Sequence, residues 1–145
     1  MHAQLGLWDR LRHRFRLRRW QAVRAGGRLA EDLTHRFLER QGYVVVARNY
    51  QSRTGNGELD LVARDGDLLV IIEVKSRTSE EYGPPDLAVT PEKRRKLVRT
   101  AFEYARRAHI SEDLLRFDIV SVVHLAEPRI THFRDAFGFR SSPVV

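Results

Sequence analysis

The chain has no cysteine. That excludes disulfides, a thiolate zinc site and a cysteine nucleophile, and it fits a reducing compartment. No apolar stretch approaches the roughly 18 residues that a spanning helix needs, and no long apolar segment follows the N-terminal charges as in a secretory signal. A soluble, cytoplasmic protein is expected. The six histidines form no pair at the i, i+4 spacing of a helical zinc site, so a histidine-based nuclease or protease is unsupported. Internal repeats and low-complexity segments are missing as well. At 145 residues the chain is long enough for one domain with a real core and too short for two.

Acid is scarce near the N-terminus. Residues 1–28 hold eight Arg against one Asp, giving +7, whereas residues 29–145 balance 18 basic against 18 acidic side chains. Six of the seven net charges therefore sit in an arm, residues 1–26, and the seventh is Arg28 just beyond it. Leu7, Trp8, Leu11 and Phe15 recur there at helical spacing, and arginines including Arg14 and Arg18 fill the remaining faces and the segment beyond. Four uses stay open for such a basic amphipathic arm. It can track phosphates, with Arg14 and Arg18 releasing counterions; lie on an anionic membrane surface; act as a targeting segment; or remain a solvated tail.

What the chain does contain is charge where a core strand should have none. Gly57-Glu58-Leu59-Asp60-Leu61-Val62-Ala63 and Leu68-Leu69-Val70-Ile71-Ile72-Glu73-Val74-Lys75 flank an Asp65-Gly66-Asp67 turn signal. With Gly66-Asp67 as a two-residue loop, Asp65 faces Leu68, Asp60 falls opposite Glu73, and Glu58 opposite Lys75. All four charged side chains then share one face, because side chains alternate with period two. The apolar run Leu68 to Ile72 reads as a strand covered on both sides. Directly opposed Cβ atoms lie about 4.5–5.5 Å apart, so two ionised carboxylates there repel by roughly 3 kcal/mol at an effective dielectric near 20. A divalent cation offsets that repulsion: Mg²⁺ takes one or two protein carboxylates, keeps several waters and completes its shell with phosphate oxygens. The plainer alternative is a Glu58–Lys75 cross-strand ion pair with Asp60 in solvent. The joint pattern of an acid on one strand and Glu-x-Lys on its partner favours the metal site.

Around the hairpin, Gly26-Gly27 precedes a helix of about 13 residues with an apolar stripe of Leu29, Leu33 and Phe37, closed by Gly42. Glu31 lies off that stripe, and spacing alone makes it a solvated acid. Tyr43 to Ala47 is the first strand, followed by a turn-rich loop, Gln51 to Gly57. Gly55 and Gly57 there suit either a phosphate approach or ordinary turn geometry. Thr78 to Val89 is a loop. Thr90 caps a helix with Pro91 at its first position, running to about Arg107 and burying Leu97, Val98, Ala101, Phe102 and Ala105. Lys93, Arg94, Arg95 and Lys96 crowd its first turns, where the helix dipole favours anions, so Lys93, Arg94 and Lys96 are candidate phosphate contacts. Arg116 to Val123 and a short edge strand, Ile130 to Phe133, complete the elements. Asp118 interrupts the former strand, where a buried acid bonded to backbone or Arg is favoured over a catalytic one.

These residues resemble a known family. The Asp…Glu-x-Lys hairpin resembles the core of the restriction-endonuclease-like superfamily. From Gly27 to Phe137 the chain resembles its YraN-like branch, small bacterial proteins related to archaeal Holliday junction resolvases. The match runs through Gly27-x-x-x-Glu31, Gly42-Tyr43, Arg48-Asn49-Tyr50, Gly57-Glu58-x-Asp60-Leu61, Glu73-Val74-Lys75-x-Arg77, Thr90-Pro91-x-Lys93, Arg116-Phe117-Asp118 and Ala136-Phe137. The resemblance implies an α/β fold, an α/β/α sandwich around a central mixed β-sheet, over residues 27–137, with 138–145 as a tail. It implies Asp60, Glu73 and Lys75 as a catalytic triad and Glu31 as a helix-borne acid.

Together these readings predict a metal-dependent endonuclease that hydrolyses phosphodiesters in DNA by in-line attack of water. Asp60 and Glu73 would hold Mg²⁺ or Mn²⁺, with the Val74 carbonyl as a further ligand by analogy with similar enzymes, and Glu31 at a second metal or bridging water. Lys75 would orient water or stabilise charge on the phosphate. Arg77 joins the candidate nucleic-acid contacts, and relatedness to resolvases points to branched DNA and a homodimer. The rival is an inactive nucleic-acid-binding module in which the acids serve only structure.

Overall fold

The computed structural model describes residues 26–78 and 87–138. Helix α1 occupies residues 26–40, followed by strands β1 (Val44–Gln51), β2 (Glu58–Asp65) and β3 (Leu68–Thr78). Helix α2 (Pro91–Arg107) and a short 3₁₀ turn (Glu112–Leu114) lead to β4 (Leu115–His124) and β5 (Arg129–Phe137). The five strands form one sheet in the order β1-β2-β3-β4-β5. Only β3 and β4 run parallel, because α2 carries the chain back over the sheet between them, and the other pairs are antiparallel.

Among the described residues each face of the sheet is covered by one helix, as expected for an α/β/α sandwich. Leu69, Ile71, Phe117 and Ile119 pack with Leu97, Ala101 and Ala105 of α2. On the opposite face Val70, Ile72, Val120 and Val122 pack with Ala30 and Leu38 of α1. Strand β3 is therefore apolar on both sides, which explains its unbroken run of buried residues from Leu69 to Glu73. Burying such a strand contributes about 1.5–3 kcal/mol for each large apolar side chain.

The hairpin forms as the sequence predicts. Asp65 pairs with Leu68, and the register continues to Leu61 opposite Ile72. Gly66 takes φ +58° as the first residue of the two-residue loop, the place where a type II′ turn requires glycine. Gly42 closes α1 with φ +88°. The N–H of Tyr43 donates to the carbonyl of Leu38 and that of Gly42 to Glu39, both at 3.0 Å, the two bonds of a Schellman cap. Thr90 caps α2 by accepting the N–H of Lys93 at 3.2 Å, with Pro91 first in the helix.

Three details depart from the expected elements. The buried line of α1 is Ala30, Thr34 and Leu38 rather than Leu29, Leu33 and Phe37, and Leu29 is exposed. Small residues let the helix approach the sheet closely, and the Thr34 hydroxyl satisfies itself on the Ala30 carbonyl at 2.8 Å. Leu33 and Phe37 flank that line, partly buried. Strand β1 begins at Val44 and extends to Gln51, pairing with β2 as far as Glu58 beyond a register shift between Val45 and Ala47. Strand β5 is longer than Ile130 to Phe133, since it resumes pairing at Phe137 after an irregularity opposite Asp118.

Candidate active site

The β2–β3 ladder stops at Leu61 and Ile72, one step before Asp60 and Glu73 would stand directly opposed. Beyond that point a side chain takes over from the backbone: Asp60 Oδ2 accepts the N–H of Val74 at 2.9 Å. The strands thus part where two carboxylates meet. Glu73 is buried, with 6% of its surface exposed, on the face covered by α2. There Lys93, from the first turn of that helix, donates its ammonium to Glu73 Oε1. Asp60, Glu73, Lys93, Lys96, Leu97, Gly57 and Glu58 surround a cavity of 210 Å³.

Burial, and next the neighbouring Glu73 charge, push the Asp60 carboxyl up to about 7. Glu31 adds to the rise, while the Val74 N–H and the Lys93 ammonium oppose it. Burial works against the charge of Lys93, but the hydrogen bond and attraction of Glu73 outweigh it and hold Lys93 above the ordinary lysine range. The pair thus carries a proton or a cation at neutral pH to compensate its repulsion.

Glu31 projects from α1. Its side chain is 14% exposed, 3.7 Å from Arg48, and its buried Oε2 makes no hydrogen bond. Spacing on the helix predicted a solvated acid. The partner strand accounts for the difference, because β1 brings Arg48 across Glu31 and Asp32, the latter at 2.6 Å. Glu31 does not line the cavity, but its charge is felt by Asp60.

The remaining candidates are placed as follows. Lys75 follows Glu73 on the same face of β3, yet its amine donates at 2.5 Å to the carbonyl of Ala88, ahead of α2. Glu58 is accordingly not its cross-strand partner and pairs with Gln51 of β1 instead. Arg77 lies further along β3, opposite Val123 of β4. Lys96 lines the cavity, whereas Arg94 is exposed on α2 away from it. Arg14 and Arg18 of the arm lie outside the described residues.

Asp118 belongs to the other face. It lies beside Ile72 in the β4 register, fully buried, and accepts Arg116 on both oxygens at 2.9 Å, the Asp135 N–H at 3.0 Å and His132 at 2.7 Å. Burial would raise its carboxyl, but these partners, His132 and Arg116 foremost, hold it below the ordinary carboxylate range. Arg116 also reaches Asp65 and the Tyr43 hydroxyl, at 3.0 and 2.9 Å. This network ties the hairpin, β4 and β5 together, the structural role expected of Asp118.

Local sequence suits Gly57 to a phosphate approach and to ordinary turn geometry alike. A Cβ there would lie 2.0 Å from Thr100 Oγ1 and 3.4 Å from the Lys96 carbonyl, so Gly57 is what lets β2 start against α2. Gly55, at φ +76°, serves the turn.

Among the described residues no group of three or more His, Asp or Glu side chains forms a ready-made metal cage. Two converging carboxylates still suit Mg²⁺ or Mn²⁺, which take few protein ligands and keep water. The Lys93 ammonium already sits against Glu73 as a cation does, while Glu31, whose buried Oε2 makes no hydrogen bond, lies outside the cavity. The donor set fits a divalent ion.

Residues 30–122 match a family model described as "Uncharacterised protein family UPF0102". The chain belongs to this family. A UPF0102 protein of Solibacter usitatus is 48% identical over 133 residues, covering 92% of this chain and 99% of its own. One of Geobacter metallireducens is 40% identical over 112 residues, covering 77% of this chain and 90% of its own. For Rhodococcus opacus the figures are 42% over 113 residues, 77% and 94%. The UPF0102 match takes in Glu31, Asp60, Glu73, Lys75 and Lys93 and leaves the basic arm outside it. Among the described residues no helix is long and apolar enough to cross a membrane.

Proposed function

We propose that the chain is a metal-dependent endonuclease of restriction-endonuclease-like type, hydrolysing phosphodiesters in DNA. The observation that carries this reading is the split between β2 and β3, where Asp60 and Glu73 converge and burial with mutual repulsion lifts the Asp60 carboxyl to about 7. A fold that needed only stability would fill this position with apolar side chains, since buried charge is costly.

Asp60 and Glu73 would hold Mg²⁺ or Mn²⁺, which supplies polarisation of the phosphoryl group and acidification of water. The chain does the rest. Val74 fixes the orientation of the Asp60 carboxylate through its N–H. Lys93, 55% exposed along its side chain, can turn from Glu73 toward a phosphate oxygen and meet the charge that builds there. Lys75, tethered to Ala88, holds the approach to α2 and adds positive charge to the same face. Glu31 biases the site further toward cations. Branched DNA as substrate, a homodimer and a cytoplasmic location extend the reading through the resemblance to resolvases.

One observation favours a second reading. Lys93 already compensates Glu73, so the acids have a structural partner and the same fold could bind DNA without cutting it. Cleavage of labelled branched and linear DNA with Mg²⁺, Mn²⁺ or chelator, in wild type, Asp60→Asn and Glu73→Gln, separates the two. Metal-dependent cuts lost in both variants are expected; salt-sensitive binding with no cut in any metal would establish the binding module instead.

A further inference from the structure

Beside the acid pair, and sharing Lys96 with it, a second depression of 480 Å³ runs between the turn after β1 and the outward face of α2. Its charged lining is Lys96, Arg99 and Arg106 against a single acid, Glu103. That acid is engaged within the protein. It accepts the Tyr50 hydroxyl at 2.8 Å, the Arg53 N–H at 3.2 Å and the Ser52 hydroxyl at 3.4 Å, so it anchors the turn to the helix. Arg99 and Arg106 are exposed and have no acidic partner among the described residues. Among the described residues Lys96 reaches only one acid, Glu92, at 3.6 Å on the helix surface.

Positions 96, 99, 103 and 106 advance by three and four residues and so form one stripe on α2. From Lys96 to Arg106 the stripe spans about 15 Å at 1.5 Å per residue, too long for one phosphate group. It matches about four base-pair rises along a duplex axis at 3.4 Å each. Across from the cations, Thr54 and Asn56 present a hydroxyl and an amide from the turn, neutral groups of the kind that position a sugar–phosphate backbone. The turn is held in place by Glu103 and by Gly57, whose lack of a side chain lets the strand lie against Thr100. The groove is thus preformed, cationic, and continuous with the carboxylates at Lys96.

We infer that this groove seats the sugar–phosphate backbone of one nucleic-acid strand, leading it along α2 to Asp60 and Glu73. The assignment rests on the nuclease reading, and it adds Arg99, Arg106, Thr54 and Asn56 to the substrate contacts. Each phosphate neutralised contributes about 0.9 to the slope of log affinity against log salt on duplex DNA.

The test is duplex binding by fluorescence anisotropy over a salt series, in chelator so that no cleavage intervenes. Wild type is compared with the triple variant Lys96→Gln, Arg99→Gln, Arg106→Gln and with a charge-matched control, Arg28→Gln, Arg36→Gln, Arg40→Gln, on exposed positions of α1. The expected result is a salt slope shallower by about two to three in the groove variant, with the control close to wild type. Equal slopes in both triples, or displacement of the duplex by poly-glutamate as readily as by competitor DNA, overturn the groove. Metal-dependent cleavage, assayed separately, then still supports the nuclease reading. A wild-type protein that neither binds nor cuts removes both.

Discussion

Replacing Asp60 by Asn tests the acid pair without any assumption about substrate. In the folded protein the Asp60 carboxyl is raised from 3.8 to about 7. The folded state therefore keeps a proton that the unfolded state has already lost over that window. Stability falls as pH rises from about 4 to 7, and the full cost is present above 7. Its upper figure is about 4 kcal/mol at 1.36 kcal/mol per pH unit. Asn carries no charge, and its carbonyl oxygen still accepts the Val74 N–H, so the cost vanishes while the bond remains. In chelator at pH 8, urea denaturation followed by circular dichroism should show Asp60→Asn more stable than wild type by about 1–3 kcal/mol, narrowing toward zero near pH 4. Saturating Mg²⁺ should reverse the order. At one hundred times its Kd a ligand stabilises wild type by about 2.7 kcal/mol, with no matching gain in the variant. An Asn variant that is less stable than wild type at pH 8, or a difference that does not change with pH, would refute the reasoning and make Asp60 a structural acid.

Lys93→Met removes the ammonium that compensates Glu73. Since Lys93 is half-exposed, the loss in chelator at pH 8 should be about 1–2 kcal/mol, below the cost of breaking a fully buried pair, and Mg²⁺ should recover it in thermal melts; a loss that metal does not restore would count against a shared site for the two cations. Gly57→Ala drives a Cβ to 2.0 Å from Thr100 Oγ1 and should cost about 1–3 kcal/mol, as overpacked cores do. Adding Thr100→Ala should recover part of that loss, and no recovery would show that the Lys96 carbonyl sets the limit.

Much of this was legible because β-structure is periodic. Counting outward from Gly66-Asp67 found the register, and Thr90-Pro91 marked the start of α2 through capping chemistry that depends on neighbours alone. The hidden parts depend on distant chain. Helical spacing does not distinguish Leu29 from Ala30 as the inward residue, because both stripes are amphipathic and only the sheet decides which is buried. Spacing likewise made Glu31 a surface acid, since nothing local announces that Arg48 will fold across it. The Glu103 contacts with Tyr50, Ser52 and Arg53 span at least 50 positions, so the groove they shape had no signal in either segment.

The partition of lysines follows from the same long-range geometry. Counting along β3 puts Lys75 on the face of Glu73, and alternation says no more than that. A lysine two residues along a strand is displaced by about 7 Å from the carboxylate, and here its amine turns to the Ala88 carbonyl. The ammonium that meets Glu73 arrives from α2, whose first turn is set over the site by the parallel β3–β4 crossover. Cations are mildly unfavourable at a helix N-terminus. A buried carboxylate beside Lys93 offsets that cost directly, as an anionic phosphate entering past Lys96 would offset it further along the helix. Lys93 is thus explained by the carboxylate that faces it, whereas Arg94 and Arg95 do not line the cleft, and Lys96, which lines both hollows, is the residue through which the acid pair and the groove are joined.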